Sequence, residues 1–131
     1  MKKYVFFLLS LFLSVTIFAQ ADSSSCAKFK KGLFTYRDNS TGTIILKRTA
    51  KRQEETNKKT GVIVKFRIRW VSNCSYELKQ LWSNSKALRK NNGGVSLVII
   101  SKAGSNQYEY TCDCKTAADI KSNSGVVYKI K

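Results

Sequence analysis

Hydrophobic and polar residues alternate most regularly between positions 61 and 81, which read GVIVKFRIRWVSNCSYELKQL. In an extended chain the apolar side chains of the first half share one face and the basic ones share the other: Val62, Val64, Phe66, Ile68 and Trp70 against Lys65, Arg67 and Arg69. This alternation, rich in β-branched and aromatic residues, predicts a strand with one buried face. The turn formers Ser72 and Asn73 follow, and a second alternating run begins at Cys74. The stretch therefore predicts a β-hairpin with a cysteine at its turn.

Shorter runs of the same kind predict six more strands, separated by turn-forming residues. They cover residues 33–37, 43–48, 53–56, 95–102, 107–115 and 126–130. Residues 53–56 are polar and fit either a solvated strand or one helical turn, and their place between two strands favours the strand. Residues 86–90 have the length of a single helical turn, and no longer helix is predicted. Eight short strands joined mostly by short turns predict an all-β domain, either an antiparallel up-and-down barrel or a strongly curled sheet.

The first residues have the composition of an export signal. Lys2 and Lys3 form a basic start, residues 4–18 are almost wholly apolar, and Ala19 and Ala21 supply the small residues of a cleavage site. The apolar run is short for a bilayer span, so a cleaved signal peptide is favoured over an uncleaved membrane anchor. We therefore predict a signal peptide over residues 1–21 and a single β-barrel-like domain over residues 22–131. The domain is expected in the periplasm, at the cell surface or secreted, and not integral to a membrane.

All four cysteines lie in the predicted exported domain: Cys26, Cys74, Cys112 and Cys114. An even number in a small exported domain predicts two disulfides. Four cysteines allow three pairings, and a bridge between Cys112 and Cys114 closes a small ring. Each of these two is therefore expected to pair with Cys26 or Cys74.

The chain is strongly basic, with 24 lysines and arginines, 8 acidic residues and a formal net charge of +16. Lys65, Arg67 and Arg69 form a basic stripe on the outer face of the predicted strand, the pattern of a surface for anionic polymers. Export separates the protein from chromosomal DNA, so specific DNA binding is not expected. Solubility is the alternative explanation of the charge.

The residue content argues against an enzyme. The chain has no histidine, which removes the commonest general base and metal ligand. The cysteines are expected in disulfides, and no acidic pair has a recognisable catalytic spacing. We therefore predict no catalytic residue, no metal site and no cofactor.

Two motifs, with Arg48, Gln53 and Glu55 between them, carry a family resemblance. The first, C-x-K-F-K-x-G-x-F-x-Y, runs from Cys26 to Tyr36, and the second, W-x-x-x-C-x-Y-x-L, runs from Trp70 to Leu78. With these motifs the chain resembles a family of small exported proteins of Bacteroidetes, many of which carry the automatic label "DNA topoisomerase IV". That label does not fit, because the chain has neither a phosphate-binding glycine loop nor a clustered acidic metal site. The resemblance implies export and no particular activity.

A looser resemblance is to lipocalin-like barrels, in which a G-x-W motif opens the first strand. Here Gly32-Leu33-Phe34 stands in that place, with phenylalanine instead of tryptophan. The basic residue that packs on that tryptophan in such barrels is not identifiable from the sequence. Because the domain is short for a roomy lipocalin cavity, we expect a small or filled interior.

Five residues are the candidates for a ligand site: Arg48, Gln53, Glu55, Trp70 and Tyr76. The first three are expected to form either a polar patch inside the barrel or, as the favoured alternative, an ion pair that fixes strand register. The aromatic residues are expected to line a pocket or, as the favoured alternative, to pack in the core. Tyr108 and Tyr110 are expected to pack around a disulfide. The sequence predicts a non-enzymatic module that binds an unknown small ligand, or alternatively a basic adhesion or scaffold protein for anionic envelope polymers or a protein partner.

Overall fold

The structure, a computed structural model, describes residues 23–38, 42–114 and 123–131, and these form eight strands and two short helices. The predicted signal peptide lies outside the described residues. Helix α1 (Ser23–Cys26) continues into a 3-10 turn (Ala27–Phe29), and helix α2 (Lys86–Arg89) lies between the fifth and sixth strands. No helix among the described residues has the length and apolar character needed to cross a bilayer. The strands are β1 (Gly32–Asp38), β2 (Gly42–Arg48), β3 (Arg52–Asn57), β4 (Ile63–Ser72), β5 (Ser75–Ser83), β6 (Val95–Ala103), β7 (Gln107–Cys112) and β8 (Asn123–Lys129).

Each strand pairs antiparallel with the next, and β1 pairs with β8, so the sheet is a closed barrel. This confirms the predicted all-β fold and selects the closed barrel over the curled sheet. Gly32 has a positive φ of +139°, and the carbonyl oxygen of Lys131 lies where a Cβ would stand. Because only glycine leaves room there, the start of β1 approaches Lys131 closely, and the backbone N–H of Leu33 donates to Lys131 O at 2.8 Å.

The alternation along the sequence corresponds to the two faces of the barrel wall. In β4, Ile68 is buried while Lys65 and Arg67 are exposed, as predicted. The charged segment 53–56 is a strand, which confirms that choice over a helical turn. The strand β7 ends at Cys112 rather than at residue 115, and β8 begins at Asn123, three residues earlier than predicted.

Successive connections of an up-and-down barrel alternate between its two ends. The end that holds the 3-10 turn and the β4–β5 and β6–β7 turns is called the capped end here, and the other is called the open end. Phe29 of the 3-10 turn is fully buried, and its ring centroid lies 5.0 Å from that of Tyr108 and 6.4 Å from that of Phe34. The turn therefore fills the capped end with an aromatic plug.

The disulfides are Cys26–Cys74 and Cys112–Cys114, with Cα–Cα distances of 5.3 Å and 5.1 Å. The expectation that Cys112 and Cys114 each pair with Cys26 or Cys74 is wrong. The reason is topological: Cys26 and Cys74 belong to the capped end, whereas Cys112 ends β7 and Cys114 follows it in the connection at the open end. The Cys26–Cys74 bridge ties helix α1 to the β4–β5 turn.

Candidate functional site

Arg48, the last residue of β2, points into the barrel at the capped end and is only 2% exposed. Its Nε donates to Gln53 Oε1 at 2.9 Å, and its Nη1 donates to the Phe29 carbonyl at 2.8 Å. Its Nη2 donates to the hydroxyl oxygens of Tyr76 at 2.9 Å and Tyr108 at 3.0 Å. We call these five residues the arginine cluster. All three guanidinium nitrogens are engaged within it, so Arg48 joins the cap to β3, β5 and β7.

Aromatic rings surround the buried charge. The Cζ atom of Arg48 lies 4.6 Å from the ring centroid of Tyr76, 5.0 Å from that of Phe34 and 5.8 Å from those of Trp70 and Tyr108. These distances are typical of cation–π contacts, which favour a guanidinium that has lost its water. Arg48 is therefore the basic residue that packs on Phe34, the contact that the sequence alone does not identify.

A second set of hydrogen bonds leads from the cluster toward the open end. Gln53 Nε2 donates to Glu55 Oε1 at 2.8 Å, and the hydroxyl of Tyr36 donates to Glu55 Oε2 at 3.0 Å. Gln53 and Glu55 are two residues apart on β3, so both point inward, as predicted. The structure thus brings Arg48, Gln53 and Glu55 into one hydrogen-bonded chain.

A cavity of about 400 Å³ lies between the arginine cluster and the open end. Tyr76 and Tyr108 belong to its floor, and Asp38, Asn91 and Ser96 belong to its mouth, because these three come from the ends of strands and the connection at the open end. Its volume is in the lower part of the range for small-molecule pockets, which agrees with the expected small interior. The remaining lining residues are Tyr36, Leu46, Gln53, Glu55, Val64, Phe66, Leu78, Gln80, Leu88, Val98, Tyr110, Cys114 and Val127.

Glu55 is an acidic side chain in a largely apolar part of the cavity lining. Burial raises the pKa of its carboxyl, and the hydrogen bonds from Gln53 and Tyr36 and the positive charge of Arg48 oppose this shift only in part. Burial and the neighbouring Glu55 carboxyl also raise the pKa of Tyr36, so its hydroxyl keeps its proton and acts as a donor. The same two causes raise the pKa of Tyr110.

The predicted ligand residues divide into two groups. Gln53, Glu55 and Tyr76 line the cavity, whereas Arg48 and Trp70 do not. Trp70 packs at a tilt against Tyr76, with ring centroids 4.7 Å apart, and Lys30 Nζ lies 5.3 Å from the Trp70 ring centroid. Trp70 is therefore part of the packing around the arginine cluster rather than of the cavity wall.

Sequence reasoning missed several cavity residues. Tyr36 and Tyr110 were assigned to a strand face and to packing around a disulfide, yet both line the cavity. Their position on the apolar face of alternating strands is the signal that could have found them. Gln80 was not singled out, although its Nε2 donates to the Leu88 carbonyl at 2.7 Å and to Asn92 Oδ1 at 3.0 Å. It holds the β5–β6 connection against the rim of the cavity.

The three residues of the predicted basic stripe have different neighbours on the outer face of the barrel. Lys65 Nζ lies 3.6 Å from Glu54 Oε2, and Arg69 Nη2 lies 2.6 Å from Glu77 Oε2, so both basic residues have an acidic partner. Arg67 differs, because its direct neighbours across the sheet are Arg52 on β3 and Lys79 on β5. The side chains of Arg52, Arg67 and Lys79 are all exposed. They form a row of positive charge across three strands, which we call the cationic row.

Within residues 23–38, 42–114 and 123–131, no three histidine, cysteine, aspartate or glutamate side chains are close enough to hold a metal ion together. Comparisons with protein-family models, with curated proteins and with solved structures gave no match. The family resemblance of the two sequence motifs therefore stays a prediction. The geometry of the barrel interior is the basis for the functional conclusion.

Proposed function

We propose that this protein is an exported, non-enzymatic barrel that binds a small ligand in the cavity above the arginine cluster. The observation that carries the proposal is a cavity of about 400 Å³ with the carboxyl of Glu55 on its wall. A mostly apolar pocket with a few convergent polar groups is the usual form of a small-molecule site. Two disulfides fit an oxidising compartment, where an exported protein folds.

The division of the interior supports binding rather than simple packing. At the capped end, apolar and aromatic side chains fill the space around Arg48. Toward the open end, the lining includes Ser96, whose small side chain leaves room for a ligand, and the Tyr110 ring, which packs over Gly125. Polar groups at both depths of the cavity, Glu55 within it and Asn91 at its mouth, would orient an amphiphilic ligand.

The test is to fill part of the cavity with a larger side chain and to measure the loss of ligand affinity. N-phenyl-naphthylamine, a fluorophore that brightens in apolar pockets, is titrated into the protein and into two variants. Val64→Trp places a large ring at a lining position, and Val95→Trp places the same ring at an exposed position of β6. We expect the protein and Val95→Trp to bind the fluorophore and Val64→Trp to lose at least about tenfold in affinity, a loss of about 1.4 kcal/mol.

Two results would contradict the proposal. One is that the unaltered protein does not enhance the fluorescence. The other is that Val64→Trp, with the same far-ultraviolet circular dichroism as the unaltered protein, binds as tightly as Val95→Trp.

A second candidate function, retention on anionic envelope polymers, rests on the cationic row. Like charges directly opposite each other across strands destabilise a sheet, so an external anion that bridges Arg52, Arg67 and Lys79 would relieve repulsion. Of the predicted stripe of Lys65, Arg67 and Arg69, Arg67 alone belongs to this row, and the other two have acidic partners.

Heparin chromatography tests the second candidate with two triple variants of equal charge change. Arg52→Gln, Arg67→Gln and Lys79→Gln together remove the row. Lys58→Gln, Lys59→Gln and Lys90→Gln remove three exposed lysines at the open end. We expect the first variant to elute at clearly lower salt than the second, since affinity for a polyanion depends on clustered contacts. Equal elution would assign retention to net charge alone.

A further inference from the structure

We propose that the ligand of the cavity is an organic cation, an amine with an apolar body, and that Glu55 is its counterion. The inference rests on the proposed function, that the cavity holds a small ligand. It specifies the chemical class of that ligand from the charge, the hydrogen bonds and the rings of the cavity wall.

The sign of charge inside the cavity is opposite to that of the molecule. The chain carries 24 lysines and arginines against 8 acidic residues. The described lining nevertheless contains no lysine or arginine, and its only charged side chains are Asp38 and Glu55. A cavity of this kind in a basic protein attracts cations and repels carboxylates and phosphates.

Glu55 has acceptor capacity left for a ligand. Each of its oxygens accepts one hydrogen bond from the described residues, from Gln53 and from Tyr36. An ionised carboxylate offers about four lone-pair positions, so a ligand ammonium group can donate to the remaining ones. Arg48 does not neutralise Glu55 by direct contact, because its nitrogens bind Gln53, Tyr76, Tyr108 and the Phe29 carbonyl.

Aromatic rings make up much of the wall around Glu55. Tyr36, Phe66, Tyr76 and Tyr110 all line the cavity, and the face of an aromatic ring attracts a cation that has left water. The apolar body of the ligand has separate surfaces to contact, which come from four strands of the barrel: Leu46, Val64, Leu78 and Val98.

The arrangement couples binding to the protonation of Glu55. The charged and titratable groups around Glu55 are Tyr36 from β1, Arg48 from β2, Tyr76 from β5 and Tyr110 from β7, with Asp38 at the mouth. Burial raises the pKa of Glu55, and an ammonium ligand pairs with the carboxylate form of this side chain. Its affinity therefore falls as the pH falls through that pKa, whereas the affinity of a neutral alcohol does not.

The experiment compares three probes of equal chain length, octylamine, octanol and octanoate, as competitors of N-phenyl-naphthylamine at neutral pH. We expect octylamine to compete at least about tenfold better than octanol, because its ammonium group makes a charge-assisted hydrogen bond to Glu55 that the alcohol cannot make. Octanoate is expected to be the weakest of the three. Glu55→Gln should abolish the preference for the amine, so that octylamine and octanol compete within about twofold of each other.

Glu54→Gln is the matched control, since it makes the same change one residue away, on the outer face where Glu54 pairs with Lys65. This variant should keep the preference for the amine. If octanol or octanoate competes as well as octylamine against the unaltered protein, or if Glu55→Gln keeps the preference, the inference is wrong while ligand binding stands. If N-phenyl-naphthylamine itself does not bind, the proposed function fails first.

Discussion

The polar groups inside the two ends of the barrel differ in how much of their hydrogen-bonding capacity the protein itself uses. At the capped end, the guanidinium of Arg48 has donors engaged on all three nitrogens, and the acceptors come from the 3-10 turn and three strands. Toward the open end, Glu55 accepts from two donors among the described residues, Tyr36 and Gln53, and lies on the wall of a cavity. One polar group is fully used by the fold, and the other has capacity left.

This difference separates structural from functional roles better than residue type does. An inward-facing arginine and an inward-facing glutamate look equally suited to a ligand site, and both were candidates from the sequence. Because hydrogen-bonding capacity that is already used within the protein is not available to a ligand, we expect Arg48 to stabilise the fold and Glu55 to contact the proposed ligand. Gln53 connects the two, since it accepts from Arg48 and donates to Glu55.

Replacing Arg48 by methionine should produce the largest loss of stability. The substitution keeps apolar volume but leaves Gln53, Tyr76, Tyr108 and the Phe29 carbonyl without their donor. Removing one side of a buried charged network costs about 3–5 kcal/mol of unfolding free energy. Urea denaturation measures this loss, and Arg67→Met, on the exposed outer face, is the control expected to change little. Equal urea midpoints for the two variants would show that the arginine cluster does not stabilise the fold.

The disulfide at the capped end should stabilise the folded protein more than the disulfide at the open end. Cys26 and Cys74 are 48 residues apart, whereas Cys112 and Cys114 are 2 apart. A longer loop restricts the unfolded chain more, so Cys26→Ser with Cys74→Ser should cost about 2–4 kcal/mol and Cys112→Ser with Cys114→Ser clearly less. Thermal unfolding of both double variants gives the comparison, and the reverse order would show that the open end carries the more important bridge.

Much of the fold was predictable because the barrel wall alternates with period two. The strand pattern, the exposed face of β4 and the hairpin turn at Cys74 all follow from that alternation. The 3-10 turn was missed because three residues in a lysine-rich segment carry no period. The disulfide pairing was wrong because it depends on which end of the barrel each cysteine reaches, and strand direction decides that only after the topology is known.

The site was predictable only where its residues are neighbours in sequence. Gln53 and Glu55 lie two apart on one strand, and their shared face was foreseen. The other contacts of Arg48 join positions 19, 28 and 60 residues away, and the sequence alone does not specify such pairs. The cavity is harder still, because its volume depends on how all inward side chains pack together.

Tyr108 and Tyr110 offer a sharper comparison within a single strand. Both point inward from β7, but the Tyr108 hydroxyl accepts from Arg48 and lies 3.2 Å from that of Tyr76, while Tyr110 lines the cavity closer to the open end. Tyr108→Phe should cost about 1.5–3 kcal/mol, the range for a hydrogen bond to a charged group. Tyr110→Phe should cost less in stability and should change ligand affinity instead. Chemical denaturation and fluorophore titration of both variants separate the two roles, and equal stability losses would contradict them.

The smallest expected effect is a pH dependence of stability that belongs to the open half of the barrel. Burial raises the pKa of Glu55 in the folded protein above its value in the unfolded chain, so between these two values the folded state binds more protons. Stability is then highest below the unfolded pKa and is lost as the pH rises through the folded pKa, with a slope of at most about 1.4 kcal/mol per pH unit.

Glu55→Gln should remove this slope and should be more stable than the unaltered protein at higher pH, because its neutral amide loses no solvation of charge on burial. Urea midpoints measured across the acidic to neutral range test this, with Glu54→Gln as the control that keeps the slope. A slope of the opposite sign would mean that Glu55 is stabilised as a carboxylate by the fold itself, which would make it a structural partner of Arg48 and end the distinction between the two halves.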